Sequence, residues 1–71
     1  MTAEEVKALP AGMAIEMTTD ARDPYGTYLG RCTSLCIVRE SSAGSKYLTV
    51  YPRGMAPVPI IDSPRIEYRM P

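Results

Sequence analysis

The chain contains no histidine, no tryptophan and no phenylalanine. Histidine is the commonest general base and a frequent metal ligand, so its absence excludes the usual kinds of hydrolytic and metal site. No apolar run approaches the roughly 18 residues that a membrane-spanning helix requires. The first residues, MTAEEV, lack the apolar stretch of a signal peptide. We therefore expect a cytoplasmic protein without a membrane segment.

Cysteine is scarce as well, with Cys32 and Cys36 as the two in the chain. Small secreted domains usually carry several disulfides. On one extended strand these two Cα atoms would lie about 13 Å apart, beyond the ~7 Å that a disulfide allows. Zinc needs about four ligands, which two thiols without histidine do not supply. The sequence predicts free thiols that pack as small apolar side chains, with no metal and no cofactor.

The length of 71 residues fits one domain, which we place over residues 1–71. Apolar residues make up 45% of the chain, a fraction typical of globular proteins. A chain of this size buries only about 60% of the surface that its unfolded form exposes. Because such a thin core leaves little room for a catalytic pocket, we expect a non-enzymatic protein.

The N-terminal segment carries the signals of a short helix. Thr2 and Glu5 have the spacing of a capping box, in which each side chain binds the backbone N–H of the other. Val6 and Leu9 are three residues apart and share one helix face. Pro10 then ends the helix. The sequence predicts a helix over residues 2–9, docked through its apolar face on a sheet because so short a helix is unstable alone.

Short strand patterns separated by glycine and proline follow the helix. Strands are predicted over residues 13–17, 27–40, 46–52, 58–62 and 65–70, with loops over residues 18–26 and 41–45 and a turn at residues 52–54. In the third strand, Leu48 and Val50 should point inward. Gly30 indicates a bulge or bend, and Pro59 requires an edge or bulge position.

About five short strands favour a closed arrangement, because closure protects the edges of a small sheet. We predict a mostly β fold, namely a small antiparallel SH3-like barrel of about five strands over residues 13–70, preceded by the short helix. An OB-like barrel fits less well, since five full strands and an interposed helix usually need a longer chain.

Three short segments carry a resemblance to a known family, namely residues 12–13 (GM), 28–32 (YLGRC) and 48–52 (LTVYP). Across residues 12–66 the chain resembles the SH3-like barrel of the plasmid-borne type II dihydrofolate reductases, whose matching strand reads Val-Gln-Ile-Tyr-Pro. The resemblance implies a barrel. In that family the Gln-Ile-Tyr segment and a loop lysine line a pore formed by four subunits. Here Thr49 stands at the glutamine position and residues 18–26 contain no lysine.

Charge is unevenly distributed along the chain although the net charge is zero. Residues 1–29 hold two basic and five acidic side chains, whereas residues 30–71 hold six basic and three acidic ones. Tyrosine and arginine accompany the basic part, and these two residue types dominate protein-binding hot spots. The candidate binding surface consists of Tyr25, Tyr28, Arg39, Lys46, Tyr47, Tyr51 and Arg53.

Three functional interpretations follow from this surface. The first is a binding module for a protein partner, self-association included. The second is single-stranded RNA or DNA binding, in which aromatic rings stack on bases and cations bind phosphates. That interpretation requires Arg39, Lys46, Tyr47 and Arg53 to converge on one groove. The third is an oligomeric reductase-like enzyme, which the resemblance alone suggests.

Overall fold

The computed structural model describes residues 1–53 and 56–71, and this part of the chain contains one helix and four strands. These are α1 (Ala3–Lys7), β1 (Ala14–Arg22), β2 (Tyr28–Glu40), β3 (Lys46–Val50) and β4 (Glu67–Arg69). The strands form one antiparallel sheet in the order β3-β2-β1-β4. The prediction of a mostly β chain with a short N-terminal helix is confirmed. Within the described residues, no helix has the length and apolar character needed to cross a membrane.

Helix α1 begins with the predicted capping box. The backbone N–H of Glu5 donates to Thr2 Oγ1 at 3.2 Å, and the backbone N–H of Thr2 donates to Glu5 Oε1 at 2.9 Å. The hydrogen bond from the Thr2 backbone N–H lowers the pKa of Glu5 most, and the bond with the Thr2 hydroxyl lowers it further. The Asp62 carboxylate accepts from the Ala3 N–H at 2.9 Å, which ties the helix start to the segment before β4.

The core lies on one face of the sheet. Ile15 on β1 and Met17 beside it are buried, as the alternating pattern predicts, and Leu48 on β3 is fully buried. Helix α1 covers this face with Ala3 and Val6. The complete buried cluster consists of Ala3, Val6, Ile15, Met17, Cys36, Val38, Leu48, Ile60 and Tyr68.

The predicted loop over residues 18–26 is wrong in its first half, because β1 continues to Arg22. Residues 19–22 show no apolar alternation, and β4 does not pair with them. They are strand because each pairs with β2, for example Thr19 with Cys32 and Asp20 with Arg31. The β4 pairing ends at Thr18. We call residues 19–33 the arm and the remaining described residues the body.

A bulge interrupts the pairing within the arm, as Gly30 indicates in the sequence. Ala21 pairs with Gly30 but Arg22 pairs with Tyr28, so Leu29 is left without a partner in the ladder. Gly30 has a φ of +110°, which side-chain-bearing L-residues rarely adopt. The glycine therefore allows β2 to carry the extra residue.

Closure into a five-stranded barrel is not seen in the described residues. The strand predicted over residues 58–62 is reduced to one bridge, in which Val58 and Leu48 exchange backbone hydrogen bonds of 2.8 and 2.9 Å. Because the backbone groups of Val58 face β3, those of Pro59 face away from it, so its missing N–H costs no ladder bond at this edge position. The turn predicted at residues 52–54 includes Gly54, which lies outside the described residues. The SH3-like barrel thus stays a prediction.

Candidate functional site

The sheet face opposite the core carries part of the predicted surface. Cross-strand pairing places Arg39 opposite Tyr47, and Thr49 opposite Ile37. One row further, the Tyr51 N–H donates to the Leu35 carbonyl at 2.8 Å. We define the outer patch as Leu35, Ile37, Arg39, Tyr47 and Tyr51, which lie on this face because they alternate with the buried residues of β2 and β3.

Arg39 is held within the outer patch by a side-chain hydrogen bond. Its Nε donates to Thr49 Oγ1 at 3.2 Å, and Thr49 itself is buried, with 8% of its surface exposed. The bond fixes the stem of the arginine beside Tyr47. In the described chain, no carboxylate lies within 4.0 Å of the Arg39 guanidinium. Arg39 is exposed, so the terminal nitrogens of its guanidinium face solvent while its Nε is held by Thr49.

Leu35 and Ile37 belong to this surface, although the sequence predicted neither of them there. Leu35 is 38% exposed and Ile37 is half-buried, although residues 35–38 (LCIV) form a continuous apolar run. Because every residue of that run is apolar, its alternation does not reveal which side is the core. The apolar run itself is the sequence signal for this surface, because a strand that is apolar on both faces has a second apolar face besides the one in the core.

Tyr25 and Tyr28 do not join the outer patch. Tyr28 is the first residue of the 13-residue strand β2 and Arg39 lies near its other end, roughly 30 Å away along the strand. Tyr25 lies in the loop at the tip of the arm and is 93% exposed. The Arg22 guanidinium lies 5.6 Å from the centre of the Tyr28 ring, within cation–π range. The predicted surface is therefore divided between the two ends of the sheet.

Lys46 lies away from Arg39 and Tyr47. Its ammonium group donates to the Lys7 carbonyl at 3.2 Å and to the Leu9 carbonyl at 2.7 Å. These carbonyls lie at and just beyond the last residue of α1, where a cation also interacts favourably with the helix dipole. Lys46 thus joins the helix to β3. Arg53 is exposed beyond β3, beside the residues that the structure does not describe.

Cross-strand pairs join the acidic and basic parts of the chain. Arg31 lies 3.5 Å from Asp20, and Arg69 lies 3.8 Å from Glu16. Both pairs are substantially exposed, so each contributes little to stability. They do distribute charge, because each brings a base from the second part of the chain beside an acid from the first. The uneven charge of the sequence therefore does not produce a uniformly basic face.

The two cysteines are free, as predicted, and their environments differ. Cys36 is fully buried in the core, as the packing prediction requires, whereas Cys32 is exposed in the arm, so the prediction is wrong for Cys32. Burial raises the pKa of Cys36. Among residues 1–53 and 56–71, no group of three or more cysteine and carboxylate side chains has the arrangement of a metal site.

Comparison with known proteins gives no relative for this chain. No family model matches it, and no significant match was found among curated proteins or solved structures. The resemblance to the type II dihydrofolate reductases is therefore still an interpretation of the residues. The outer patch combines Arg39, held by Thr49, with the apolar side chains of Leu35 and Ile37. A function can be proposed from this arrangement.

Proposed function

We propose that the protein is a non-enzymatic binding module that holds a protein partner on the outer patch. The observation that carries this proposal is the exposed side chain of Arg39, which is hydrogen-bonded to Thr49 and lies opposite Tyr47 in the strand pairing. Arginine and tyrosine are enriched among the residues that dominate binding energy at protein interfaces. A side chain that is ordered before binding also loses less conformational entropy when a partner arrives.

The outer patch suits a partner segment that carries a carboxylate between apolar side chains. The terminal nitrogens of Arg39 are available for a bidentate bond to a carboxylate. Leu35 and Tyr51, which are 38% and 60% exposed, supply apolar surface two rows from Arg39, beyond the row of Ile37 and Thr49. Contact with these side chains would remove apolar area from water while the charge is neutralised.

Single-stranded nucleic acid is the second candidate, because the pairing of Arg39 with Tyr47 also suits a phosphate beside a stacked base. The convergence that this interpretation requires has less support. The Lys46 ammonium is bound to the end of α1, and the carboxylates of Glu16 and Glu67 belong to the same sheet face, where they would repel phosphates. We therefore prefer a protein partner.

Two finer expectations belong to the same proposal. Val58 bridges to the edge of β3 that faces away from β2. A strand at this position would be the fifth of the sheet, which supports an SH3-like arrangement. Two free thiols support a reducing compartment such as the cytoplasm, because disulfides are rare there.

A phage-displayed library of random peptides tests the outer patch, because selection requires no particular partner to be chosen beforehand. We expect selected peptides to share an acidic residue flanked by apolar ones. In an NMR titration, such a peptide should shift the amide signals of Ile37, Arg39 and Tyr47. Arg39→Ala and Tyr47→Ala should each weaken binding roughly tenfold or more. Selection of peptides that bind both variants normally would refute the proposal.

Two further variants serve as controls for this experiment. Thr49→Val keeps the shape of the side chain but removes the acceptor for Arg39, so it should weaken binding less than Arg39→Ala does. Arg65→Ala removes an exposed arginine from the turn before β4 and should leave binding unchanged. If mixed single-stranded oligonucleotides instead shift these signals in a strongly salt-dependent manner, the nucleic-acid interpretation replaces the protein partner.

A further inference from the structure

We propose that a second copy of this chain pairs with the open edge of β2 in the arm, around a two-fold axis at Cys32. This edge meets the outer patch at Leu35 and Tyr51, but it is formed by the backbone of residues 31–33, and the pairing does not depend on the proposed function. Three features support it: the free backbone groups of β2, the self-complementary spacing of its side chains and the exposed apolar residues that flank it.

One edge of β2 is open along the arm. Strand β3 pairs with β2 only over Cys36–Glu40, and the last contact on that side is the Tyr51 N–H bound to the Leu35 carbonyl at 2.8 Å. From Leu35 toward the start of β2, the described chain provides no strand beside residues 28–33 on that side. Unpaired strand edges of this kind readily add a strand from another chain.

The alternation of an antiparallel strand identifies which groups face outward. The Leu35 carbonyl points toward β3, so the N–H and C=O groups of Thr33 and Arg31 point to the same side. The groups of Cys32 point the other way, toward β1. Thr33 and Arg31 therefore present two donors and two acceptors to whatever approaches this edge.

A two-fold axis at Cys32 satisfies all four of these groups. It places Arg31 opposite Thr33 of the second copy and Thr33 opposite Arg31 of the second copy, which gives four backbone hydrogen bonds. The two Cys32 residues then form the central non-hydrogen-bonded pair, with Cα atoms about 4.5 Å apart. The small cysteine suits this close position, and the two arginines do not face each other.

Exposed apolar side chains flank the edge symmetrically. Leu29 and Leu35 lie three residues on either side of Cys32, and they are 64% and 38% exposed. The two-fold axis brings Leu29 of each copy to the end of the other copy's edge, where Leu35 and the 60% exposed Tyr51 lie. A partner that covers this edge needs the same spacing of leucines, which a second copy provides. Association would also add buried apolar area to a marginal small fold.

The open edge of β1 in the arm fits such pairing less well. It is limited to Asp20–Arg22, between the β4 pair at Thr18 and the loop that begins at Asp23. Charged side chains border it instead of leucines. For this reason we assign the contact to β2.

Sedimentation velocity over a wide concentration range tests the assignment. We expect the full chain to dimerise, and Thr33→Pro to raise the dissociation constant roughly tenfold or more, because proline removes an outward N–H that its own hairpin does not use. Asp20→Pro is the matched control, since it removes an outward N–H from the other edge and should leave the dimer intact. Leu29→Asp, on an exposed bulge, should weaken the dimer without affecting the fold.

Oxidation with diamide gives an independent readout. Diamide removes two electrons and two protons from two thiols, so a Cys32–Cys32 disulfide should form across the axis. Cys32→Ser should abolish this crosslink but still sediment as a dimer, and Tyr47→Ala should dimerise and crosslink normally. A monomer at all concentrations would overturn the proposal. A dimer that resists both Thr33→Pro and Leu29→Asp, or that does not crosslink, would overturn it equally.

Discussion

The body and the arm are formed by the same two strands, yet they differ in what covers them. In the body, Ile15 and Val38 point into a core that α1 and Ile60 close. In the arm, Thr19 and Cys32 occupy the corresponding face, and the described part of the chain places no helix over them. The body is therefore stabilised by apolar burial, whereas the arm depends on backbone hydrogen bonds between two strands. A segment can therefore form a strand without alternating apolar residues, provided that its backbone pairs with a neighbouring strand.

The strongest test of the comparison removes one leucine from each region. Leu48→Ala should destabilise the protein by about 2–5 kcal/mol, because it leaves a cavity at a fully buried position. Leu29→Ala, at a 64% exposed position of the arm, should change the free energy of unfolding by less than about 0.5 kcal/mol. Urea denaturation followed by circular dichroism measures both. Equal losses would mean that the arm has a core of its own.

Thiol reactivity contrasts the two regions within one unmodified protein. Cys32 is exposed, whereas Cys36 is fully buried and burial raises its pKa. Cys32 should react with iodoacetamide at least about a hundredfold faster, since Cys36 reacts only after opening of the body. Intact mass with peptide mapping follows both sites over time. Comparable rates at low denaturant would show that the body opens as readily as the arm.

Two tyrosines provide the next comparison. The Tyr68 hydroxyl donates to the Ile61 carbonyl at 2.9 Å and accepts from the Ile61 N–H at 3.2 Å. Tyr68→Phe should therefore cost about 1–2 kcal/mol. Tyr25→Phe, at the 93% exposed tip of the arm, should have no measurable effect. Chemical denaturation at neutral pH separates the two variants.

The same pair predicts a dependence on alkaline pH. Burial raises the pKa of Tyr68 above its ordinary value of about 10. Its contribution to stability is thus complete below that ordinary value and is lost as the pH rises through the raised pKa. Tyr68→Phe should lack this part of the alkaline destabilisation, whereas Tyr25→Phe should retain it. An identical alkaline profile for all three proteins would contradict the burial of Tyr68.

The smallest expected effect concerns the helix that covers the body. Thr2→Ala removes the hydroxyl that accepts from the Glu5 N–H and should cost about 1 kcal/mol. Thr2→Ser retains the acceptor and should restore most of this stability. Thr27→Ala, an exposed residue of the arm loop, should be neutral. Thermal melts distinguish the three, and a neutral Thr2→Ala would mean that α1 contributes little to the body.

Patterns of neighbouring residues predicted the structure correctly where such a pattern is typical of one kind of structure. Thr2 and Glu5 predicted the cap, alternating apolar residues predicted the inward side of β1, and Gly30 predicted the bulge in β2. The strand at residues 58–62 was overestimated, because Val58 alone of these residues pairs with a strand of the described chain. The candidate site was only partly predictable. Lys46 has the same charge as Arg39, and nothing local indicates that its ammonium binds the end of α1.

The sequence by itself determined the mostly β class, the capped helix and the separation of Cys32 from Cys36. Each follows from neighbouring residues, whose spacing defines a face, a turn or a distance along one strand. Tertiary structure alone decided that residues 18–22 continue β1, that Arg39 donates to Thr49, and that one edge of β2 is left open by the described residues. Those features depend on cross-strand register and on where β3 and β4 end, which are contacts between distant residues.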